Sequence, residues 1–228
     1  MHKILLNDLE SNWTADGASG AAPAVRRAGL MITCLPDCCP TEKLADHLAD
    51  DHWLILRTPA GIVVPYGAGD SEFAEIIDRA IHANGIAAIT VCACSGCALA
   101  KRLLAAEPAR LPRNLDAWRP FAEAARQVAA ADPSGRPAIE HLILSQAANL
   151  ATHPSVAVTL AGGSLRVNTW LFDPIRDELL FPDSRTRAFS RPAALSPSQN
   201  AGLKPSFVRR LRQPPREPVF DLRRVELA

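Results

Sequence analysis

The chain has 228 residues and a mass of 24.5 kDa, with 48% hydrophobic and 21% charged residues, which suffices for one packed domain of ordinary size. A formal net charge of +1 gives no indication of a polyanionic partner for the chain as a whole. The N-terminus lacks the apolar core of a signal peptide, and no apolar run approaches the roughly 18 to 20 residues of a membrane span, so we expect a cytoplasmic protein.

The first quarter of the chain predicts an arm and then the beginning of a core. Polar and small residues dominate 1–23, which we interpret as an N-terminal arm. The apolar run GLMIT (29–33) predicts a buried strand. A helix follows from Thr41, its candidate N-cap, to about Ala49, and WLIL (53–56) predicts a second strand.

The clearest helical pattern lies just before the third predicted strand. Apolar residues recur at helical spacing over 73–81, with Asp70 or Ser71 as the cap and Gly85 as the stop. The run IAAITV (86–91) is apolar almost throughout, as expected for a strand covered on both faces.

The second half of the chain continues with helices and ends in a hairpin. We predict helices from Cys97, near 115–131 and over 137–151, and then strands over 165–172 and 178–181. This order predicts an α/β fold with a mostly parallel sheet flanked by helices. In such sheets ligands bind at the carboxyl ends of the strands.

A basic, proline-rich tail, 184–228, follows the domain that we place at 24–183. Ten Lys and Arg residues face three acidic residues from Arg185 onward, and six prolines replace the hydrophobic periodicity. Only two aromatic residues follow Phe189, so a tail that docks on a protein partner or a neighbouring subunit is favoured over one that binds nucleic acid.

All six cysteines lie in two stretches, LMITCLPDCCPTEKL (30–44) and AAITVCACSGCALAKRLL (87–104), where predicted strands end. In a reducing compartment such clusters indicate metal ligands rather than disulfides. The pair Cys94-x-x-Cys97 has a spacing that recurs in zinc sites. Cys92 belongs to the buried strand and is expected to be a small core residue.

These residues resemble the β-carbonic anhydrase family, which has a Cys-x-Asp-x-Arg motif after its first core strand and a Gly-His-x-x-Cys-Gly motif after a later one. Cys34 matches the first cysteine, and ACSGCA (93–98) matches the later motif. The resemblance covers roughly 27–183, and its further matches are RTPAG (57–61), QAANLATHPSV (146–156) and VNTWLFDPIRDELL (167–180).

The resemblance implies a zinc protein, a homodimer or a multiple of dimers, and reversible hydration of CO2 to bicarbonate by a zinc-bound hydroxide. In a variant of this hypothesis, the substrate is a related small molecule such as CS2 or COS. The sequence departs from the family at three positions. Pro36 and Cys38 stand where the family has its Asp–Arg pair, and Cys94 stands where it has the histidine ligand.

The metal ligands implied by this alignment are Cys34, Cys94 and Cys97, with water in the fourth position. Three thiolates leave a zinc site with a charge of −1, which disfavours ionisation of the bound water. Asp37 is the candidate replacement for the missing proton acceptor, and either Cys38 or Asp37 is a candidate fourth ligand. An iron–sulfur cluster is the alternative cofactor for four thiolates.

Two functions therefore remain open from the sequence. In the first, the protein is a zinc-dependent lyase of the carbonate dehydratase type. In the second, it is a catalytically silent homologue in which Cys38 closes a structural metal site and the basic tail recruits a partner.

Overall fold

A computed structural model describes eleven stretches of the chain. They are residues 5–7, 29–35, 38, 43–44, 46–48, 53–69, 71–105, 113–131, 135–183, 185–192 and 203–204. The described strands form one seven-stranded sheet in the order β1-β3-β2-β4-β5-β6-β7. They are β1 Leu5–Asn7, β2 Gly29–Thr33, β3 Trp53–Arg57, β4 Ala88–Cys94, β5 Arg166–Asp173, β6 Glu178–Pro182 and β7 Phe189–Ser190. Helices flank this sheet, and the predicted α/β class is confirmed.

The centre of the sheet is parallel and its edges are antiparallel. Strand β2 pairs in parallel with both β3 and β4, and β4 pairs in parallel with β5. Strands β1 and β6 add to the sheet in the antiparallel sense, as does β7. Every residue of β2 and β4 is buried, as their apolar sequences predict. The carboxyl ends of β2, β4 and β5 consequently lie at one edge of the sheet.

Six α-helices lie in the described part of the chain. They are α1 Ser71–His82, α2 Ala98–Leu104, α3 Arg113–Asp116, α4 Glu123–Ala131, α5 Arg136–Ala151 and α6 Pro154–Ala161. The predicted helix over 73–81 is confirmed as α1, and Gly85 follows it with a φ of +59°. The predicted helix over 115–131 is wrong as a single element. A 3-10 turn over Arg119–Ala122 interrupts it, because Pro120 cannot donate the backbone hydrogen bond that a continuous helix needs.

The predicted helix from Thr41 to Ala49 lies partly outside the described residues. Lys43 and Leu44 are helical, whereas Asp46 and His47 are in a turn and Leu48 forms an antiparallel bridge with Leu203. The helix therefore ends earlier than predicted, because a contact from a distant part of the chain competes with its last turn.

Two segments outside the predicted core also join the fold. Leu5–Asn7 of the predicted arm pairs with β3 as an edge strand. In the predicted tail, Phe189 pairs within the sheet as part of β7, and Leu203 is also buried. None of the helices in the described part of the chain has the length and apolar composition of a membrane span.

Candidate metal centre

Three cysteine thiols converge at the carboxyl edge of the sheet. Cys34 follows β2 directly, Cys38 lies four residues later, and Cys97 is the N-cap residue of α2, just beyond β4. Because β2 and β4 are adjacent parallel strands, their carboxyl ends bring these segments together. The three Sγ atoms all lie within 4.8 Å of one another, and we call them the thiol group.

The closest contact in the thiol group joins Cys34 and Cys97. Their Sγ atoms are 3.5 Å apart, and both residues are buried. The hydrogen bond from Cys34 lowers the pKa of the Cys97 thiol to about 6, and the N–H of Ala100, 3.3 Å away at the start of α2, stabilises the same thiolate. Its role as donor in this bond raises the pKa of Cys34 above the usual range of a thiol. Cys97 is therefore the member of the pair that loses its proton more readily.

Cys38 is the most accessible member of the thiol group. Its backbone N–H donates to the carbonyl of Leu35 at 3.0 Å, which forms a tight turn after Cys34. Cys38 is half-buried, and this burial raises the pKa of its thiol. A backbone N–H at Leu99 faces the same sulfur and partly offsets the effect.

The thiol group fits a zinc ion. In tetrahedral zinc–thiolate sites the Zn–S distance of about 2.3 Å separates neighbouring sulfur atoms by roughly 3.8 Å. The 3.5 Å between Cys34 and Cys97 is close to this value, and the limit of 4.8 Å for the whole group requires only small side-chain adjustments. Thiolates are also a preferred donor type for zinc.

The set of cysteines that meet in the structure differs from the set of ligands that the alignment with the family implies. The structure brings together Cys34 and Cys97 with Cys38, which was a candidate for the fourth position. Cys94 is the last residue of β4, is buried, and lies opposite Phe172 of β5 rather than in the thiol group. Asp37, the other candidate, lies outside the described residues.

Arg57 supports the backbone at the thiol group, a role that the sequence analysis missed. This buried residue ends β3, and its Nη1 atom donates to the carbonyl of Cys34 at 2.8 Å. The next residue, Thr58, donates its backbone N–H to the carbonyl of Thr33 at 3.0 Å. The sequence could have indicated this role, because an arginine at the end of an apolar strand is expected to be buried and then needs hydrogen-bond acceptors for its guanidinium.

Two amide side chains on α5 hold the backbone at Val63, a few residues after Arg57. Gln146 accepts the backbone N–H of Val63 at 2.8 Å, and Asn149 donates to the carbonyl of Val63 at 3.0 Å. Buried Gln146 also donates to the carbonyl of Phe121. From the sequence, the pattern predicts only a helix for both residues, although an amide on a buried helical face indicates a backbone partner.

A cavity of about 630 Å³ lies between α1 and α6, with none of the cysteines in its lining. Tyr66 and Phe73 contact the ring of His153 on its wall, with ring centroids 5.9 and 5.7 Å away. His153 is buried, and its Nε2 atom bonds to the carbonyl of Val64 at 2.9 Å. This burial lowers the pKa of His153 below 6.5.

Comparison with known proteins identifies the family. The sequence profile described as "Carbonic anhydrase" matches residues 29–179. A carbonic anhydrase of Pseudomonas aeruginosa is 30% identical over 174 residues, which cover 73% of this chain and 79% of that protein. This chain therefore belongs to the carbonic anhydrase family.

Solved structures define the class within that family. The β-carbonic anhydrase CcaA has a TM-score of 0.64 and 26% identity, over 73% of this chain and 84% of that chain. A tetrameric β-carbonic anhydrase from Sordaria macrospora has a TM-score of 0.55 over 68% of this chain and 79% of that chain, and at 21% identity it supports the fold alone. The chain is a member of the β class.

Proposed function

We propose that this protein holds a zinc ion with Cys34, Cys38 and Cys97 and catalyses the reversible hydration of CO2 to bicarbonate. The observation that carries the proposal is the convergence of three thiols within 4.8 Å at the carboxyl edge of a β-carbonic anhydrase sheet. A zinc ion bound there would acidify water and so supply the nucleophile at moderate pH. CS2 and COS are the related substrates to be compared with CO2.

The chain's own residues would prepare the ligands for the ion. The thiol of Cys34 and the N–H of Ala100 lower the pKa of Cys97, so this thiol would lose its proton to the solvent most readily when the metal binds. Arg57 fixes the main chain of Cys34, which limits the movement of its thiol. In the hydratase, water takes the fourth position and Asp37 accepts the proton. Asp37 or Cys94 in the fourth position would instead give the closed site of the second candidate.

A catalytically silent protein is the second candidate, and the position of Cys38 favours it. Cys38 aligns with the arginine of the family's Asp–Arg pair, yet its thiol lies with those of Cys34 and Cys97. A fourth protein ligand would close the site and leave a structural metal. The tail 184–228 would then recruit a protein partner, and an iron–sulfur cluster is the alternative to zinc.

The proposal includes an assembly and a location. The family's architecture and the tetrameric Sordaria macrospora relative support a homodimer or a multiple of dimers, built on a metal domain at 24–183. A cytoplasmic location suits thiol ligands, which must stay reduced. Light scattering on the reduced protein measures the assembly.

Metal analysis combined with stopped-flow CO2 hydration tests the proposal. Reduced protein is assayed near neutral pH and about two pH units higher, because an anionic ligand set raises the pKa of metal-bound water. Zinc near one per chain with a rate that rises with pH supports the hydratase. Zinc near one per chain without activity at either pH supports the silent homologue, and iron with sulfide supports the cluster.

Cys38→Ser tests the ligand set, with Cys92→Ser as the matched control in the buried strand. Loss of zinc from Cys38→Ser alone assigns Cys38 to the metal. Zinc retention with unchanged or increased hydration would remove Cys38 from the ligand set and leave the aligned ligands Cys34, Cys94 and Cys97.

A further inference from the structure

The connection between β2 and β3 carries two members of the thiol group, and a distant part of the chain docks on its far end. Cys34 and Cys38 lie early in this connection, and His47 and Leu48 lie late in it. Leu203 bridges Leu48 in antiparallel fashion, and the backbone N–H of Lys204 donates to the carbonyl of His47 at 3.0 Å. We call the pair Leu203 and Lys204 the strap.

The strap is part of the hydrophobic core. Leu203 is 4% exposed, and its bridge partner Leu48 is 5% exposed. Leu44, one turn before the bridge, is fully buried in the same core cluster as Cys34. The strap therefore contributes apolar burial as well as a backbone hydrogen bond at the end of the connection.

The β5–β6 turn holds the same segment from a second direction. Nε2 of buried His47 lies 3.0 Å from Oδ1 of Asp177, and its ring contacts Phe172 edge-on with centroids 5.8 Å apart. Lys43 donates its Nζ to the carbonyl of Pro174 at 3.3 Å. The turn lies at the carboxyl end of β5, the same edge of the sheet that carries the thiol group.

We propose that Leu203 and Lys204 are positioning residues that keep Cys38 within reach of Cys34 and Cys97. Cys38 is the half-buried member of the thiol group and sits on the connection itself, whereas Cys97 is fixed at the start of α2. Strands β2 and β3 fix the two ends of the connection, and a connection that is also docked along its length opens locally less often than one held only at its ends. The strap raises the fraction of time in which the three thiols are assembled.

The coupling runs in both directions. If the strap favours the assembled thiols, a metal ion bound to these thiols must favour the docked strap by the same factor. The N–H of Lys204 reports this directly, because its exchange with solvent requires the bond to His47 to open. This second readout rests on the proposed function, since it needs a metal bound at the thiol group.

The deciding experiment measures the alkylation rate of Cys38 in the full-length, reduced, metal-free protein, with fragment-ion mass spectrometry to resolve it from neighbouring cysteines. Leu203→Asp is the test variant, and Val158→Asp, on a residue of α6 that is 73% exposed, is the matched control. Lys204→Pro removes the N–H donor of a partly exposed residue, and its ring also restricts the backbone of Leu203. This variant provides a second test if Leu203→Asp fails to fold.

We expect Leu203→Asp to speed the labelling of Cys38 by about tenfold or more, through loss of apolar burial that closes the connection. Lys204→Pro should speed it about three- to tenfold, the effect of one backbone hydrogen bond. Val158→Asp should leave the rate unchanged. Equal rates in folded Lys204→Pro and wild type would overturn the inference.

Zinc and cadmium titrations of the same proteins separate this inference from the proposed function. Weaker metal binding by the strap variants, with slower exchange at Lys204 in the loaded wild type, supports both. A wild type that binds neither ion defeats the metal proposal, while the labelling rates still decide the role of the strap. Equal affinities in wild type and both strap variants count against the strap.

Discussion

The Sγ atoms of Cys34 and Cys97 lie 3.5 Å apart, although 63 positions separate the two residues in the chain. Adjacent parallel strands β2 and β4 bring them together, because each cysteine lies just beyond the carboxyl end of its strand. Cys38 joins them from the turn after Cys34. This arrangement makes Cys38, rather than Cys94, the third thiol of the group in the structure.

Replacement of Cys38 should therefore cost more metal affinity than replacement of Cys94. We expect Cys38→Ser to weaken zinc binding about 100-fold or more, because it removes a metal ligand. Replacing residues that only hydrogen-bond to a ligand already lowers metal affinity by about 10- to 100-fold. Competition with a chromophoric chelator measures the dissociation constants. Cys92→Ser, in the buried part of β4, controls for general disturbance of the strand, and a larger loss in Cys94→Ser than in Cys38→Ser would contradict the assignment.

Cadmium should displace zinc from the thiol group. A donor set of sulfur atoms without imidazole is soft and favours the more thiophilic ion, so we expect a preference of about an order of magnitude or more. Metal analysis after equilibration with equimolar zinc and cadmium measures the ratio. Cys38→His supplies a harder donor at the same position and should reduce the preference, whereas equal occupancy in the wild type would argue against an all-thiolate site.

Burial of His153 predicts a loss of stability in mild acid. Its pKa is lowered from 6.5 by desolvation, so the folded state binds fewer protons than the unfolded state as pH falls through 6.5. The contribution of His153 to the free energy of unfolding should be complete above that pH. It should decrease as the pH falls towards the pKa of His153 in the folded state. Urea unfolding at about pH 7.5 and about pH 5.5 measures the change. His153→Gln should show a smaller decrease, and an identical decrease would refute this origin.

Close approach of two strands at Gly29 predicts a strong effect of a single added methyl group. A Cβ there would lie 2.7 Å from the Trp53 ring and 2.8 Å from the carbonyl oxygen of Ala88, and the second contact is with rigid backbone. We expect Gly29→Ala to lower the free energy of unfolding by about 1–3 kcal/mol. Gly96→Ala, where no atom lies within 4 Å of the added Cβ, should change it by less than about 0.5 kcal/mol. Equal effects of the two substitutions would contradict the packing seen at Gly29.

The sequence indicated the core strands well because their patterns are local. Strands β2 and β4 are apolar runs, and α1 has helical spacing with a glycine stop, so short-range pattern and burial agree. The single helix predicted over 115–131 failed at Pro120. The helix predicted to Ala49 ended early because Leu203, far away in the chain, bridges Leu48.

The sequence by itself determined the family, the sheet and the two cysteine-rich strand ends, since these depend on motif order and hydrophobic periodicity. Only the tertiary structure decided which thiols meet. A linear alignment fixes neither the turn that carries Cys38 towards Cys97 nor the register that leaves Cys94 opposite Phe172. The same holds for the support of Cys34 by Arg57 and for the strap, because each depends on contacts between residues that are close only after the strands have paired.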